Sequence, residues 1–211
     1  LPPLLPILGQ PFISFSELDS TNEEGRRLIE GDLAQSGMAI FTANQQRGKG
    51  QRGKSWTSTR DQGVALTLLI EPHFLTVSQQ FLLIGAVAIG VRNYLATLGG
   101  IPELFKIKWP NDIYYGDRKI AGILIENNFQ AGKWNFSIVG IGININQTEF
   151  ENLRASSLKK WTKSPAKIDI RDIFNAISIE IENYYQLFLS NNFEEIDKVY
   201  HQNLFRLQTK E

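Results

Sequence analysis

The chain has 211 residues, of which 42% are hydrophobic and 21% charged; this is the composition of an ordinary folded protein with one sizeable core. Lysine and arginine number 22 and are balanced by 22 aspartates and glutamates, which argues against a broadly basic surface that coats nucleic acid. Cysteine is absent, so disulfides, thiolate metal sites and a cysteine nucleophile are excluded, and the chain fits a reducing compartment such as the cytoplasm.

The N-terminal stretch 1–11 is apolar and contains four prolines, which interrupt helices. No basic residue precedes it, so we interpret it as an extended lead-in and not as a signal peptide. The most apolar later stretch, 81–96, includes Arg92 and Asn93 and is too short to span a membrane comfortably. We therefore expect a soluble protein that does not bind membranes.

The first half of the chain is predicted to alternate helices with short strands. Thr21 and Glu24 have the spacing of a helix capping box, so a helix should begin here and end at Glu30, just before Gly31. Apolar runs and helical spacing then predict further elements, namely strands at 38–44 and 64–71 and a helix at 76–98.

The second half is predicted to be rich in β-structure. Residues 105–109 alternate, which places Phe105, Ile107 and Trp109 on one face of a strand and two lysines on the other. The remaining elements are strands at 113–115, 120–126 and 134–145, hairpins at 116–118 and 130–133, and helices at 170–189 and 193–205. Successive hairpins flanked by helices indicate an α+β domain with a mixed, mainly antiparallel sheet.

The segment from Gln45 to Trp56 carries four basic side chains, three glycines and no acid. Glycine lets backbone N–H groups approach a ligand closely, and lysine and arginine add positive charge around an anion. This pattern predicts a loop that binds phosphates, pyrophosphate or a carboxylate being converted to a phosphate ester. A solvated, mobile basic loop is the alternative, because such motifs have real false-positive rates.

Lys106 and Lys108 share the polar face of the strand at 105–109. Pro110 ends the strand beyond Lys108, which places this lysine at a strand end, where a bound phosphate or carboxylate could neutralise it. Two surface lysines on an edge strand are the alternative, and periodicity alone favours it slightly. Lys119, after the next turn, is either another contact with the anion or a charge at a hairpin tip, and the hairpin-tip interpretation is favoured.

In the stretch 140–146, isoleucines alternate with Gly140, Gly142, Asn144 and Asn146. The isoleucines should face the core, so the two glycines would leave a bare strip of backbone on which a flat ligand can lie. A close helix crossing is the alternative. Neither histidine has a partner at metal-ligand spacing, so no metal site is assigned.

Five stretches in this order resemble the catalytic domain of biotin protein ligases, and the resemblance extends over about residues 12–205. They are 20–22, 46–56, 108–112, 119–124 and 140–144. The resemblance implies the fold shared by class II aminoacyl-tRNA synthetases and biotin–lipoate ligases. It also implies that ATP with Mg²⁺ converts biotin to biotinoyl-5′-adenylate, and that biotin then passes to a lysine of a biotin carboxyl carrier protein, expected to be that of acetyl-CoA carboxylase.

The resemblance further implies roles for individual residues. Lys108 would be the catalytic cation that neutralises charge growing on the phosphate in the transition state, and Trp56 would sandwich biotin against the glycines. The implied biotin-binding residues are Ser20, Thr21, Asn22, Gln46, Lys49, Gly50, Gln51, Trp56, Lys108, Gly140 and Gly142. The implied nucleotide-binding residues are Gly48, Lys49, Gln51, Arg52, Asn111 and Asn144.

The chain departs from the family pattern in its loop and in its length. The family loop usually reads Gly-Arg-Gly-Arg-Arg-Gly-Arg, whereas Lys49 and Gln51 replace its first two arginines here. Glutamine removes the charge, so we hypothesise that the adenylate is released more easily. Only 1–11 precede the catalytic pattern, so no helix-turn-helix domain and no nucleic-acid binding are expected, and 206–211 is interpreted as a stub where a C-terminal β-barrel would begin.

Two alternative functions stay open. One is a lipoate or octanoate ligase or transferase of the same fold, although lipoate ligases lack this combination of basic loop and Lys-Trp-Pro-Asn-Asp. The other is a biotin-binding module without catalysis, against which the presence of Lys108 argues. A homodimer through an exposed strand edge is compatible with the resemblance, but no residue demands it.

Overall fold

The computed structural model describes residues 7–57, 59–150, 154–162 and 170–205. The strands of the main sheet are β1 Phe12–Phe15, β2 Ala39–Thr42, β5 Gly63–Ile70, β6 Phe105–Lys108, β7 Asp112–Tyr115, β8 Arg118–Gln130 and β9 Lys133–Asn144, with β3 Gly48–Lys49 and β4 Ser55–Trp56 as a separate pair. The helices are α1 Thr21–Glu30, α2 Gln80–Thr97, α3 Leu158–Thr162, α4 Ile170–Leu189 and α5 Phe193–Gln202.

The seven-stranded sheet has the order β1-β2-β5-β9-β8-β7-β6, and its strand pairs are antiparallel except for the parallel pair β1–β2. Helix α1 packs on one face, while α2 packs on the other and is itself covered by α4 and α5. Strand β5 therefore buries both of its faces, with Leu68 in the larger core and Leu69 under α1, which explains its unbroken apolar sequence. The predicted α+β architecture with a mainly antiparallel sheet is confirmed.

Most of the predicted elements form, and α4 has the predicted bounds. Helix α5 ends at Gln202 and not at 205, because the following residues pair with the outer edge of β6. The Ile107 N–H donates to the carbonyl of Asn203 at 2.8 Å, and the Phe205 N–H donates to the carbonyl of Ile107 at 2.8 Å. This pairing covers an edge that would otherwise expose unpaired backbone groups.

Two local predictions were wrong. The N-cap of α1 is Ser20, and the predicted capping box does not form, because the Thr21 hydroxyl contacts Gln45 and Thr67 while the Glu24 carboxylate accepts a hydrogen bond from Arg27. Trp109 does not share the buried face of β6: the strand ends one residue earlier, and the Trp109 side chain is 66% exposed in the following turn.

The apolar stretch 81–96 was expected to be too short to span a membrane. The longer helical segment Val77–Thr97 that contains it is, among the residues described, long and apolar enough to do so by length and composition alone. In the structure 56% of its apolar window is buried inside the protein, as in the core helix of a folded domain. The lead-in 1–11 is described only from residue 7, and Leu8 packs in the core. The stub 206–211 lies outside the described residues.

Candidate active site

A cavity of about 400 Å³ opens on the α1 face of the sheet, at the N-terminus of that helix. Its walls come from the first turn of α1, from the basic loop, from the β6–β7 turn and from the middle of β8 and β9. The residues that line it include Ser20, Thr21, Asn22, Gln45, Lys49, Gly50, Gln51, Arg52, Trp56, Lys108, Asn111, Asp112, Lys119, Gly122, Gly140 and Gly142. The structure thus brings the basic loop, Lys108 and the glycine strand to one cavity, as the sequence predicted.

The glycines of β9 form a floor, but other side chains already lie directly on it. A Cβ added to Gly142 would lie 2.7 Å from Cζ2 of Trp56, and one added to Gly140 would lie 2.9 Å from Cγ of Asn22. No gap is left between indole and floor, so the predicted sandwich around a ligand is not what the structure shows. Trp56 is instead a wall of the cavity, and its buried Nε1 has no hydrogen-bond partner among the described residues.

The polar end of the cavity is built on the start of α1. The Thr21 N–H donates 2.9 Å to Oε1 of Gln45, and the Thr67 hydroxyl lies 2.7 Å from Oδ1 of Asn22. Ser20, Thr21 and Asn22 are all buried. Hydroxyls, an amide and free helix N–H groups in one place suit a ligand that carries both donors and acceptors.

The glutamine at this end is Gln45. Gln46, for which the resemblance implied a contact with biotin, is not among the lining residues. Gln46 is exposed, and its Nε2 donates 3.2 Å to Oδ1 of Asn44, away from the cavity. The backbone here is held by a parallel bridge between Gln45 and Leu18, in which the Gln46 N–H donates to the carbonyl of Leu18 at 2.9 Å, and the Gln45 side chain faces inward. Two adjacent glutamines in the sequence indicate that one of them can reach the site, but the sequence alone does not show which of the two side chains faces the cavity.

Two predicted nucleotide contacts also lie outside the cavity lining. Asn144 is buried and its Nδ2 donates 3.1 Å to the carbonyl of Ser156, so it ties β9 to the chain before α3. Gly48 is buried in the β3–β4 pair, where an added Cβ would collide with Trp56. Asn111 does line the cavity, and its Nδ2 donates to the carbonyl of Ile123.

Lys49 and Lys108 approach the cavity from opposite sides. The Lys49 ammonium forms an ion pair with Glu23 of α1, and this hydrogen bond is the main reason that the pKa of the Glu23 carboxyl lies below its ordinary value. Lys108 donates 3.1 Å to the hydroxyl of Tyr114 and forms no ion pair with any residue that the structure describes. Its positive charge is therefore available to an anion.

Lys119 is a cavity residue and not the hairpin-tip charge that the sequence analysis favoured. Its ammonium lies 2.7 Å from Oδ1 of Asp112 and 5.4 Å from the centre of the Trp56 ring. The hairpin turns at Gly116 and Asp117, and a register shift in the β7–β8 pair follows. This irregularity cannot be recognised in the sequence. It places Lys119 on the face of the sheet that borders the cavity.

The described residues contain no group of three or more histidine, cysteine, aspartate or glutamate side chains that could hold a metal ion. Asp112 is the carboxylate that lines the cavity, and Lys119 already neutralises it. The arrangement combines a donor–acceptor end, an aromatic wall over bare backbone, and several cations at the mouth. This arrangement suits an elongated acid that places its polar head at the start of α1 and its carboxylate near the lysines. The same lysines could neutralise a polyanion bound next to that carboxylate.

The cavity lies within the part of the chain that similar proteins share. The sequence model of the biotin/lipoate A/B protein ligase family matches residues 15–144. The chain is 29% identical over 194 residues to a bifunctional ligase/repressor from Bacillus subtilis, covering 90% of this chain and 58% of the relative. It is 34% identical over 128 residues to a biotin–[acetyl-CoA-carboxylase] ligase from Paracoccus denitrificans, covering 60% of this chain and 51% of the relative.

Among solved structures, a biotin protein ligase from Aquifex aeolicus in complex with biotin and ATP superposes with a TM-score of 0.80 at 28% identity. The match covers 94% of this chain and 80% of that one, and it confirms the fold class expected from the sequence. The chain spans between half and three fifths of the length of the two curated relatives named above.

Proposed function

Because the chain belongs to the biotin/lipoate A/B protein ligase family, whose model matches more than half of it, we propose that it is an ATP-dependent biotin–protein ligase. The observation that carries this proposal is the meeting of three parts in one cavity: the polar pocket at the start of α1, the Trp56 wall over the glycine floor, and the cations at the mouth. Biotin has the matching parts, namely a polar ureido end, an apolar body and a carboxylate.

In the first step, a carboxylate oxygen of biotin attacks the α-phosphorus of ATP, the bond to the β-phosphate breaks, and pyrophosphate leaves. The two reactants are anions, so they repel each other until cations neutralise them. Four cations line the cavity, two on strands and two on the basic loop: Lys108, Lys119, Lys49 and Arg52. Fixed cations placed where negative charge grows lower the barrier without reorganisation, and holding both reactants in place supplies much of the rest.

In the second step, a lysine amine of the acceptor attacks the carbonyl carbon of the adenylate, AMP leaves, and the amine loses a proton. The acceptor proposed is the biotin carboxyl carrier domain of acetyl-CoA carboxylase, which is the substrate class in the name of the Paracoccus relative. We place the reaction in the cytoplasm, without nucleic acid or membrane, and a homodimer is compatible with it.

Mg²⁺ fits this cavity only as a companion of the nucleotide. Magnesium is usually bound through one or two carboxylates together with substrate phosphates, and Asp112 and Asn111 line the cavity. These two residues would hold the ion, which would neutralise phosphate charge. Since Lys119 competes for Asp112, the phosphates must provide most of the ligands.

The proposal is tested by incubating the purified protein with biotin, Mg-ATP and a biotin acceptor domain, and by detecting biotinylated lysine with mass spectrometry. Lys108→Ala should keep the fold and lose labelling. Lipoate is run in parallel, because the family includes lipoate ligases; labelling with lipoate but not biotin would replace the proposal by the lipoate alternative. Binding of biotin without labelling would indicate a non-catalytic biotin-binding module.

A further inference from the structure

A buried hydrogen-bond network lies behind the polar end of the cavity. Asn22 is 4% exposed. Its Nδ2 donates 2.8 Å to Oε2 of Glu126, and its Oδ1 accepts a hydrogen bond of 2.7 Å from the hydroxyl of Thr67. The second oxygen of Glu126 accepts 2.9 Å from Arg26. Glu126 lies on β8 behind Asn22 and is not one of the residues that line the cavity.

The carboxylate of Glu126 fixes the direction of every hydrogen bond in this network. An ionised carboxylate only accepts, so the Asn22 amide must turn its NH₂ group toward Glu126 and its oxygen toward Thr67. The single hydroxyl proton of Thr67 is then used on Asn22, which leaves a lone pair facing the Thr21 hydroxyl at 2.9 Å. Thr21 must therefore donate its own proton, either to Thr67 or to Oε1 of Gln45 at 3.3 Å.

Without that charge, the other acceptor that the described residues offer to the Asn22 NH₂ group is the carbonyl of Leu124 at 3.5 Å, and such a long hydrogen bond holds the amide only weakly. The two ends of an amide have nearly the same shape, and only their hydrogen-bond partners distinguish them. A rotated Asn22 would present NH₂ to Thr67 and would reverse the hydroxyls of Thr67 and Thr21. A ligand that carries both donors and acceptors would then meet like groups, and buried polar groups left unpaired weaken binding strongly.

We propose that Glu126 is a positioning residue, which fixes the pattern of donors and acceptors that Asn22 and Thr21 offer to the polar end of the bound acid. This inference rests on the proposed function, since the ureido group of biotin carries two N–H donors and one carbonyl acceptor. Glu126 acts through Asn22 and does not touch the ligand. Arg26, 2.9 Å away, holds the carboxylate in place from the side of α1.

A purely structural role for Glu126 makes a different prediction. The Arg26–Glu126 pair also joins α1 to β8, and its loss in that role would lower the stability of the whole domain. Affinities for both substrates would then fall together. A positioning role weakens biotin alone, because the nucleotide end of the cavity is built from the basic loop and the β6–β7 turn.

The test is Glu126→Gln, which keeps the shape but replaces one acceptor oxygen by an NH₂ group. Isothermal titration calorimetry is expected to show a dissociation constant for biotin that is roughly tenfold higher, as for the loss of a charged hydrogen bond. The dissociation constant for Mg-ATP should change by less than about twofold. Arg27→Gln is the matched control: Arg27 lies on the same helix and pairs with Asp19 and Glu24, neither of which is bonded to the side chains of Asn22 or Glu126 in the described part of the chain, so both affinities should stay parental.

A double-variant cycle sharpens the test. Thr67→Val removes the hydroxyl that donates to the Asn22 oxygen. The double variant should lose less biotin-binding free energy than the two single variants together, because both changes act through one amide. Should Glu126→Gln not fold, Glu126→Asp is measured instead, since it withdraws the acceptor by one methylene, and a biotin-selective loss is again expected. Parental biotin affinity, or equal loss for biotin and Mg-ATP, overturns the inference. A parent protein that does not bind biotin overturns the proposed function instead.

Discussion

The ammonium of Lys119 lies 2.7 Å from Oδ1 of Asp112 on the adjacent strand β7. The same ammonium lies 5.4 Å from the centre of the Trp56 ring, within the range of a cation–π contact. The carboxylate and the indole therefore hold this cation against the cavity wall, at the depth where the glycine floor begins. Lys108, by contrast, reaches the rim and is steadied only by the hydroxyl and ring of Tyr114.

This geometry predicts that Lys119 contributes as much to adenylation as Lys108. Lys119→Gln should lower biotin-dependent ATP–pyrophosphate exchange by about 10²–10³-fold, the usual effect of losing one preorganised charge or donor. Lys108→Gln is measured beside it, and Lys198→Gln, a surface lysine paired with Glu195, serves as the control with parental exchange. If Lys119→Gln exchanges pyrophosphate at the parental rate, Lys119 has only a structural role and the prediction is wrong.

The contrast between these two lysines shows what the sequence could and could not determine. The mainly antiparallel sheet follows from alternation and hairpin signals, and alternation places Lys108 on the face of β6 opposite Phe105 and Ile107, although it does not show that this face borders a cavity. Lys119 could not be placed in this way, because the register shift between Ile113 and Tyr114 is set by tertiary packing. One extra residue moves a side chain to the other face of a strand.

The same limit explains Gln45 and Trp56. Both belong to the basic loop that the sequence identified, yet the backbone at Gln45 is held by a bridge to Leu18, a tertiary contact that the loop sequence does not reveal. The glycine floor was recognised as bare backbone, but its occupant was not. A glycine inside a strand indicates that another group packs closely against the backbone. Only the structure identifies that group at Gly142 as the indole of Trp56.

Gly142→Ala should displace Trp56, because the new Cβ would lie 2.7 Å from Cζ2 of the indole. Overpacking of this kind costs about 1–3 kcal/mol, and the cavity wall would move with the ring. Calorimetry should show weaker binding of biotin, and thermal unfolding should show lower stability. In a Trp56→Ala background, the same change should cost little in stability; an undiminished cost there would mean that a different contact is responsible.

Two glycines on α2 offer a matched pair for stability. A Cβ on Gly90 would lie 2.8 Å from the Cα of Ile181 on α4, whereas one on Gly85 would meet only side chains at 3.4 Å or more. Gly90→Ala should therefore push two helices apart and destabilise by about 1–3 kcal/mol. Gly85→Ala should be neutral or stabilising by up to about 1 kcal/mol, since alanine favours helix. Chemical denaturation measures both, and equal effects would refute the close crossing at Gly90.

Gln51 lines the cavity and is exposed, at a position where the resemblance leads one to expect arginine. Gln51→Arg should lengthen the lifetime of the enzyme-bound adenylate by about tenfold or more, because a charged hydrogen bond to phosphate contributes about 1.5–3 kcal/mol. Release of labelled adenylate from the preformed complex gives the lifetime. Gln51→Met, neutral and of similar length, should behave as the parent; equal lifetimes for arginine and glutamine would defeat the hypothesis.

The ion pair between Lys49 and Glu23 should make the anchoring of the basic loop depend on pH. The hydrogen bond from Lys49, opposed by partial burial, holds the pKa of the Glu23 carboxyl below its ordinary value of 4.5. A carboxyl with a lowered pKa in the folded state adds stability above its unfolded pKa, and this contribution is lost as pH falls through the folded value.

We therefore expect Glu23→Gln to unfold at a lower temperature than the parent at neutral pH. The gap in free energy of unfolding should be below about 1 kcal/mol, because Lys49 is half exposed. The gap should close as pH falls below 4.5. It should also shrink in high salt, which screens exposed charges. Thermal unfolding of the parent, Glu23→Gln, Lys49→Gln and the double variant measures the coupling at each pH. A gap that persists unchanged in acid would show that Glu23 stabilises α1 through something other than its charge.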